Sequence, residues 1–476
     1  MNKSKVLEKV NEIHFTGIKG VGMTALACCA QDLGMRITGS DVNEIFVTNE
    51  VLKRRRIRWQ SGFSPENIKK PDLLIATGAH GGLANPEVKT ALKKGIRAVT
   101  HAEGLAMFAG DQETISVCGV GGKTTTSAMI ATVLNNLGLN PSYAIGVAGI
   151  NPLGDPGKKG KGKYFVAEAD EYAVDPGRDN RPRFCFQKPK VVVVTNIEHD
   201  HPDIYQNLTQ TKKTFRRFFK KIPPDGLLVA CIDNKNIANL LSSAKIKAPI
   251  QTYGFSPQAD WRITRLAFAP GKSFFNLSYR GIEFREIVLS VPGRFNVLNA
   301  TAAFAVACFC GGSSRLIIKG LAEFGGTRRR FEMIGESGGV KLYDDYAHHP
   351  IEIEATLAAA REWFQDKKLV VIFQPHTFTR TQVLMEGFAR SFSQADEVIV
   401  TDIYASAREK SISGVTSGNL ARNISRYKKR TFYCSTKEAA CSHLRKNLSG
   451  GEIVFTLGAG DIFLWHQDLL KLFKKL

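Results

Sequence analysis

The sequence predicts an α/β protein built from three domains, each formed around a mostly parallel sheet. Three observations carry that prediction. Short, continuous apolar runs alternate with helical patterns along the chain, as expected of strands buried on both faces of a parallel sheet. Glycine-rich turns follow several of these runs and lead into helices. The chain of 476 residues is too long for one ordinary domain and suits about three.

The expected elements follow in order. Ile13 to Thr16 is a strand, followed by the glycine turn Gly17 to Gly22, a helical run and a second strand ending at Ser40-Asp41. Asp72 to Ala76 and Arg97 to Val99 continue that sheet, and residues 1–112 form the first domain. The second, residues 113–325, opens with strand Ile115 to Cys118 and a helix over Thr125 to Leu137. Tyr164 to Ala167, Val191 to Thr195 and Leu227 to Cys231 are its further strands, and Asp155 to Lys163, rich in Gly and Lys, reads as a mobile loop. The third, residues 326–476, has strands Val340 to Tyr343, Leu369 to Phe373, Glu397 to Thr401 and Ile453 to Leu457. There is no internal repeat.

Composition narrows the function classes. No stretch approaches the roughly 20 apolar residues of a membrane span, and the polar start from Met1 to Glu12 lacks a signal-peptide core. A cytoplasmic protein is expected. Nine scattered cysteines without a CxxC pair point to reduced, buried thiols, not to disulfides or zinc. The formal charge of +21 is spread over clusters at Lys53 to Arg56, Lys158 to Lys163, Lys212 to Lys221 and Arg426 to Arg430. None interleaves with stacking aromatics. Attraction of anionic substrates is favoured over nucleic-acid binding.

The strongest motif is Gly119-Val120-Gly121-Gly122-Lys123-Thr124-Thr125, set between a strand and a helix. Val117 stands where the strict GxxxxGK[ST] text has its first glycine. The physics is retained: glycines let backbone N–H groups converge on phosphate, the helix N-terminus favours anions, and Lys123 adds a charge. Thr124 can place its hydroxyl on Mg²⁺. The earlier set, Gly17-Ile18-Lys19-Gly20-Val21-Gly22, has Asp41 about 20 residues on, where a Rossmann-type acid contacts ribose. It could hold a dinucleotide, the diphosphate of a nucleotide sugar, or nothing.

Glu168-Ala169-Asp170-Glu171 and Glu198-His199-Asp200-His201 each end an apolar strand. The carboxyl ends of neighbouring parallel strands share one crevice, so these groups should meet the phosphates and suit Mg²⁺. Asp344-Asp345-Tyr346-Ala347-His348-His349-Pro350 and Gln374-Pro375-His376-Thr377-Phe378-Thr379-Arg380-Thr381 stand at strand ends of the third domain. They offer cations to a carboxylate or a base to an amine.

Together these residues resemble the Mur ligase family. The resemblance extends over His14-Phe15, Asn85-Pro86-Glu87, Thr195-Asn196-Ile197-Glu198, Asn296-Val297-Leu298-Asn299-Ala300 and Arg329-Arg330-Phe331 as well. It implies a Rossmann-like UDP-binding domain, a central P-loop ATPase-like domain and a Rossmann-like C-terminal domain. It further implies an ATP- and Mg²⁺-dependent ligase joining L-alanine to the carboxylate of UDP-N-acetylmuramate through an acyl phosphate, acting as a monomer or homodimer without a membrane partner.

The implied roles fall on particular residues. Lys123, Glu168, His201, His348 and Arg380 are catalytic. Gly119 to Thr125, Asn296, Asn299, Arg330 and Asp345 bind ATP. Gly17 to Gly22 and Asp41 bind the UDP-sugar; Tyr346, His348, His376 and Arg380 surround the amino acid; Thr124, Glu168 and His201 hold metal. Shielding of the acyl phosphate from water implies domain closure.

The chain departs from the family pattern in several places: Gly121 stands for the usual His, Phe295 for the His before Asn296, and Tyr172 for Ser. Asp175 to Arg183 looks inserted, and Thr77 to Gly82 replaces a serine-containing segment. A same-fold ligase for another amino acid or a peptide is the main alternative. A nucleotide-binding protein acting on nucleic acid is the more distant one.

Overall fold

The computed structural model describes residues 7–199, 201, 203–242, 245–405, 409 and 411–475. It is α/β throughout, with separate sheets of five, ten and six strands. The first two sheets lie in one compact unit, running to Ala267 and including 274–290 and 295–325; the third lies in a second unit of 268–273, 291–294 and 326–476.

The first sheet contains β1 (Glu12–Thr16), β2 (Arg36–Asp41), β3 (Gln60–Ser61), β4 (Leu73–Ala76) and β5 (Arg97–Thr100), in the order β3-β2-β1-β4-β5. All its pairings are parallel. The order reverses between β1 and β4, which places the crevice of an open α/β sheet at their carboxyl ends. Ile13, Phe15, Leu73 and Ile75 bury fully beneath helix Val21–Asp32 and its neighbours.

The central sheet contains β6 (Glu113–Cys118), β7 (Ser142–Ala144), β8 (Gly157–Lys158), β9 (Tyr164–Glu168), β12 (Pro189–Val194), β13 (Leu227–Cys231), β14 (Ile250–Gly254), β15 (Trp261–Ala269), β16 (Lys272–Tyr279) and β17 (Ile282–Leu289); a separate hairpin is formed by β10 (Ala173–Asp175) and β11 (Asp179–Pro182). Strand β6 lies between β9 and β12, parallel to both. Val191 to Val194 are wholly buried, as the continuous apolar run predicts. The sheet is not parallel throughout, because β8 runs antiparallel to β7.

The third sheet contains β18 (Glu332–Ser337), β19 (Val340–Asp345), β20 (Leu369–Phe373), β21 (Glu397–Val400), β22 (Thr431–Tyr433) and β23 (Ile453–Leu457), ordered β18-β19-β23-β20-β21-β22. Only β18, at the edge, pairs antiparallel.

Two differences from the sequence expectations have physical causes. The Gly/Lys-rich segment at 155–163 is packed, not open. Lys159 is buried, and its Nζ donates to the carbonyl of Phe108 (2.8 Å) and to Gln112. Gly157 is needed there because a Cβ would strike the carbonyl of Ala25. Strands β15 to β17 were not foreseen, since their half-exposed faces give alternation and not an apolar run. No helix among the described residues is long and apolar enough to cross a membrane.

Candidate active site

The carboxyl ends of β6, β9 and β12 form one crevice in the first unit, and the central motif residues meet there. The loop after β6 turns on Gly119 (φ +131°) and Gly122 (φ +82°), conformations that favour glycine. A Cβ on Gly119 would strike Thr195 and Asn196. Lys123 begins helix Lys123–Asn136. Its Nζ donates to the carbonyl of Gly119 (2.6 Å) and lies 3.3 Å from the buried carboxylate of Glu171. Burial opposes the ammonium charge, but Glu171, Asp170 and Glu168 overcome it and hold the lysine pKa above its ordinary value.

Glu168 bridges two elements. Its Oε2 accepts from the Thr124 hydroxyl (3.0 Å) and its Oε1 from the Gly146 N–H (2.7 Å). Burial raises the pKa values of Glu168 and Glu171. For Asp170 burial acts in the same direction, but Arg183, 2.8 Å away, and Lys123 pull its pKa below the usual range.

His201 lies beside Glu171 (3.8 Å) and packs against the Tyr172 ring, with centroids 4.6 Å apart and planes tilted by 47°. Candidate ligand atoms of Asp170, Glu171 and His201 lie within 4.8 Å of one another. Thr124 and Glu168, expected near one Mg²⁺, form one pair, and His201, expected near a second, joins Asp170 and Glu171. Hard carboxylate oxygens without a thiolate fit Mg²⁺. Asp200, quoted in the same motif, lies outside the described residues.

Gly121 is held through its backbone, and a Cβ there would lie 3.3 Å from Asn196 Nδ2. Its N–H donates to Asn196 Oδ1 (2.9 Å), and its carbonyl accepts from the Thr195 hydroxyl (2.6 Å) and Asn196 Nδ2 (3.3 Å). The end of β12 thus clamps the phosphate loop through backbone groups. Val120 and Thr125 are half-buried in the same loop and first helical turn. Asn296 and Asn299, on helix Arg294–Phe309, are buried and joined by a 3.2 Å hydrogen bond. A Cβ on Gly122 would lie 2.8 Å from Asn299 Oδ1, so this pair abuts the loop.

The other glycine loop differs from expectation. Gly17 and Ile18 N–H groups bond to the Ser40 carbonyl, and Gly20 N–H to that of Gly17. Ile18, Lys19 and Asp41 are buried. Asp41 accepts the N–H of Lys19 (2.7 Å) and of Val42 (2.8 Å), and Lys19 Nζ donates to the carbonyls of Val42 and Glu44. These side chains secure the loop. Asp41 therefore ties the loop together. What the loop offers an anion is backbone at the start of helix Val21–Asp32, around Gly20, Val21 and Gly22. Val21 is 36% exposed.

In the second unit Arg330 lies over the Tyr346 ring (5.3 Å), and Tyr346 contacts the His348 ring at 5.2 Å. His348 and His376 rings lie 6.0 Å apart, and Arg380 Nη1 donates to His376 Nδ1 (3.0 Å). The four expected amino-acid residues are thus adjacent. Burial lowers both imidazole pKa values, that of His376 to about 4, with His348 and Arg380 adding to the effect. Asp345 accepts the N–H groups of Phe331 (2.7 Å) and Ala347 (2.8 Å), and burial raises its pKa to about 6. Arg329, absent from the expected site, is buried against Asp344 (2.8 Å) and the carbonyls of Gly458 and Gly460.

Descriptions of the Mur ligase family match most of the chain: its catalytic domain at 12–113, its middle domain at 117–307 and its glutamate ligase domain at 329–460. The chain belongs to the Mur ligase family. This Mur ligase is 39% identical to the UDP-N-acetylmuramate–L-alanine ligase of Geobacter sp. (strain M21), over 97% of each chain. It is 40% identical to that of Geobacter sulfurreducens, over 96% of each. Among solved structures, UDP-N-acetylmuramate-alanine ligase from Thermotoga maritima superposes with TM-score 0.80 at 26% identity, covering 98% of this chain and 99% of the other. A murein peptide ligase from Psychrobacter arcticus has TM-score 0.70 at 23% identity over 98% and 99%, a likeness of fold.

Proposed function

We propose that this Mur ligase is an ATP-dependent UDP-N-acetylmuramate–L-alanine ligase of peptidoglycan precursor synthesis, working in the cytoplasm. The observation that carries the reading is the 39% identity to a protein of that name, over 97% of both chains.

A carboxylate is a poor acyl donor because its leaving group would be oxide. Attack of the muramate carboxylate oxygen on the γ-phosphorus forms an O–P bond and releases ADP. The amine of L-alanine then attacks the acyl carbon, phosphate leaves with the bonding pair, and the amine loses its proton. Lys123 is assigned to the charge developing on the transferring phosphoryl group. The loop backbone from Gly119 to Thr125 cradles phosphate, with Asn296 and Asn299 behind it.

Thr124 with Glu168, and His201 with Asp170 and Glu171, would hold Mg²⁺. Bound there, the cation supplies Lewis-acid neutralisation of phosphate charge. The open helix start at Gly20 to Gly22 takes the UDP diphosphate. Arg380 is assigned to the alanine carboxylate, with Tyr346 beside it. His348 and His376 are neutral at pH 7, so one can accept the proton the amine sheds.

Phosphate release tests this reading. It should require UDP-N-acetylmuramate and L-alanine together. Release with that nucleotide sugar but no dependence on any amino acid would overturn the proposal, and preference for a peptide would select the recycling alternative.

A further inference from the structure

Hairpin β10–β11 sits between two regions assigned to the acceptor. It begins directly after Glu171 and Tyr172, and its far side docks on the 78–83 segment that follows β4. Asp175, 3% exposed, accepts the Leu83 N–H (3.1 Å), and Arg178 Nη1 donates to the Gly81 carbonyl (3.2 Å). The approach is close. A Cβ on Gly82 (φ +52°) would strike the Asp175 carboxylate, and one on Gly78 would lie 2.7 Å from the Val174 carbonyl. The apparent insertion at 175–183 and the unusual Thr77 to Gly82 segment are therefore one feature, each shaped to the other.

That feature lies beside the first glycine loop. A Cβ on Gly17 would lie 2.6 Å from Thr77 Cγ2, and His80 Nε2 is 3.9 Å from Asp41. Arg183 closes the hairpin. Its Nη1 pairs with Asp170 at 2.8 Å and its Nε donates to the Ala173 carbonyl at 3.2 Å. Its Nη2 lies 3.6 Å from the Cβ position of Gly78, and no described residue accepts from it. The side chain is 30% exposed. His101 lies on the same side, its Nε2 2.8 Å from the Cβ position of Gly22. A run of polar groups thus leads from the open helix start at Gly22, past His101 and Arg183, to Asp170 and the catalytic carboxylates.

We infer that the hairpin and the 78–83 segment form one wall of the acceptor site, and that Arg183 is a specificity-determining residue that binds the carboxylate-bearing sugar end of a nucleoside-diphosphate sugar. The inference rests on the proposed function. A guanidinium donates in a planar fork, so one edge can hold Asp170 while the other meets a ligand anion. Asp175 and Arg178 set the wall by fixing the hairpin to the segment.

Direct binding of UDP-N-acetylmuramate, measured by calorimetry without ATP, separates this inference from the reading beneath it. If the unaltered protein does not bind that nucleotide sugar, the functional reading fails. If it binds, Arg183→Gln should weaken its affinity about tenfold or more, the loss of a charge-assisted hydrogen bond. Steady-state KM for ATP should stay within about twofold, and Arg183→Lys should recover part of the loss. Arg178→Ala, away from Asp170, should weaken sugar binding by a smaller factor with the thermal midpoint little changed. Unaltered sugar affinity in both Arg183 variants, or equal rises in the KM values for ATP and sugar, would assign Arg183 to the support of Asp170 alone and overturn the inference.

Discussion

Two glycine loops in the first unit start from nearly the same local sequence device and finish differently. Each follows a parallel strand, enters a helix and carries a lysine. In the first, Lys19 is folded inward onto the carbonyls of Val42 and Glu44, and burial, partly offset by Asp41 and Glu44, lowers its pKa. In the second, Lys123 faces Glu171 with Asp170 and Glu168 nearby, and its pKa is raised. The difference lies in the neighbouring strand ends. Beside the first loop Asp41 is spent on backbone N–H groups. Beside the second, β9 and β12 deliver carboxylates and an imidazole. One loop offers an anion mainly backbone; the other offers backbone, a cation and a metal-binding set.

The comparison is easiest to break at Lys123. Lys123→Ala should lower kcat by about a hundred- to a thousandfold or more, while circular dichroism still reports a folded protein. Full turnover would erase the distinction between the loops. Asp41→Ala should act in the opposite sense. Two backbone N–H groups lose a buried acceptor, costing roughly 1–3 kcal/mol. A lowered thermal midpoint with an unchanged KM for ATP is the expected result, and an unchanged midpoint would remove Asp41 from its role as a tie.

In the second unit, Arg380→Ala should raise the KM for L-alanine about tenfold and leave that for ATP alone. An unchanged amino-acid KM would move Arg380 out of the pocket. The smallest effect concerns pH. The His376 imidazole stays neutral in the fold down to about pH 4, whereas an unfolded chain takes up the proton near 6.5. Stability present above pH 6.5 is therefore lost as pH falls from 6.5 toward 4. His376→Gln should flatten the thermal midpoint over that window, and a profile identical to that of the unaltered protein would contradict the shift.

Much of the fold was legible because its central strands are buried on both faces and read as apolar runs. Val191 to Val194 and Leu369 to Phe373 are examples. The half-exposed strands β15 to β17 were not, although the Arg280-Gly281 turn between β16 and β17, with both residues at positive φ, was an available signal. The sequence placed Lys123, Thr124 and Glu168 in one crevice, because strand order and carboxyl ends suffice for that. It could not show which way Lys19 points, since that depends on carbonyls at 42 and 44. Nor could it show that Asn196 holds Gly121, or that Glu171 is the acid beside His201, because those contacts join separate strands. The signal for Glu171 was present in Glu168-Ala169-Asp170-Glu171, but alternation along a strand end does not say which acid turns toward the loop.

The central claim is that the Lys123 crevice activates a carboxylate by phosphorylation for attack by an amine. Turnover with ATP, L-alanine and UDP-N-acetylmuramate labelled with heavy oxygen in its carboxylate tests it most directly. The account predicts that each phosphate released carries one labelled oxygen from the carboxylate, and that the product is the alanyl amide. Amide formation with no label in the phosphate would contradict it.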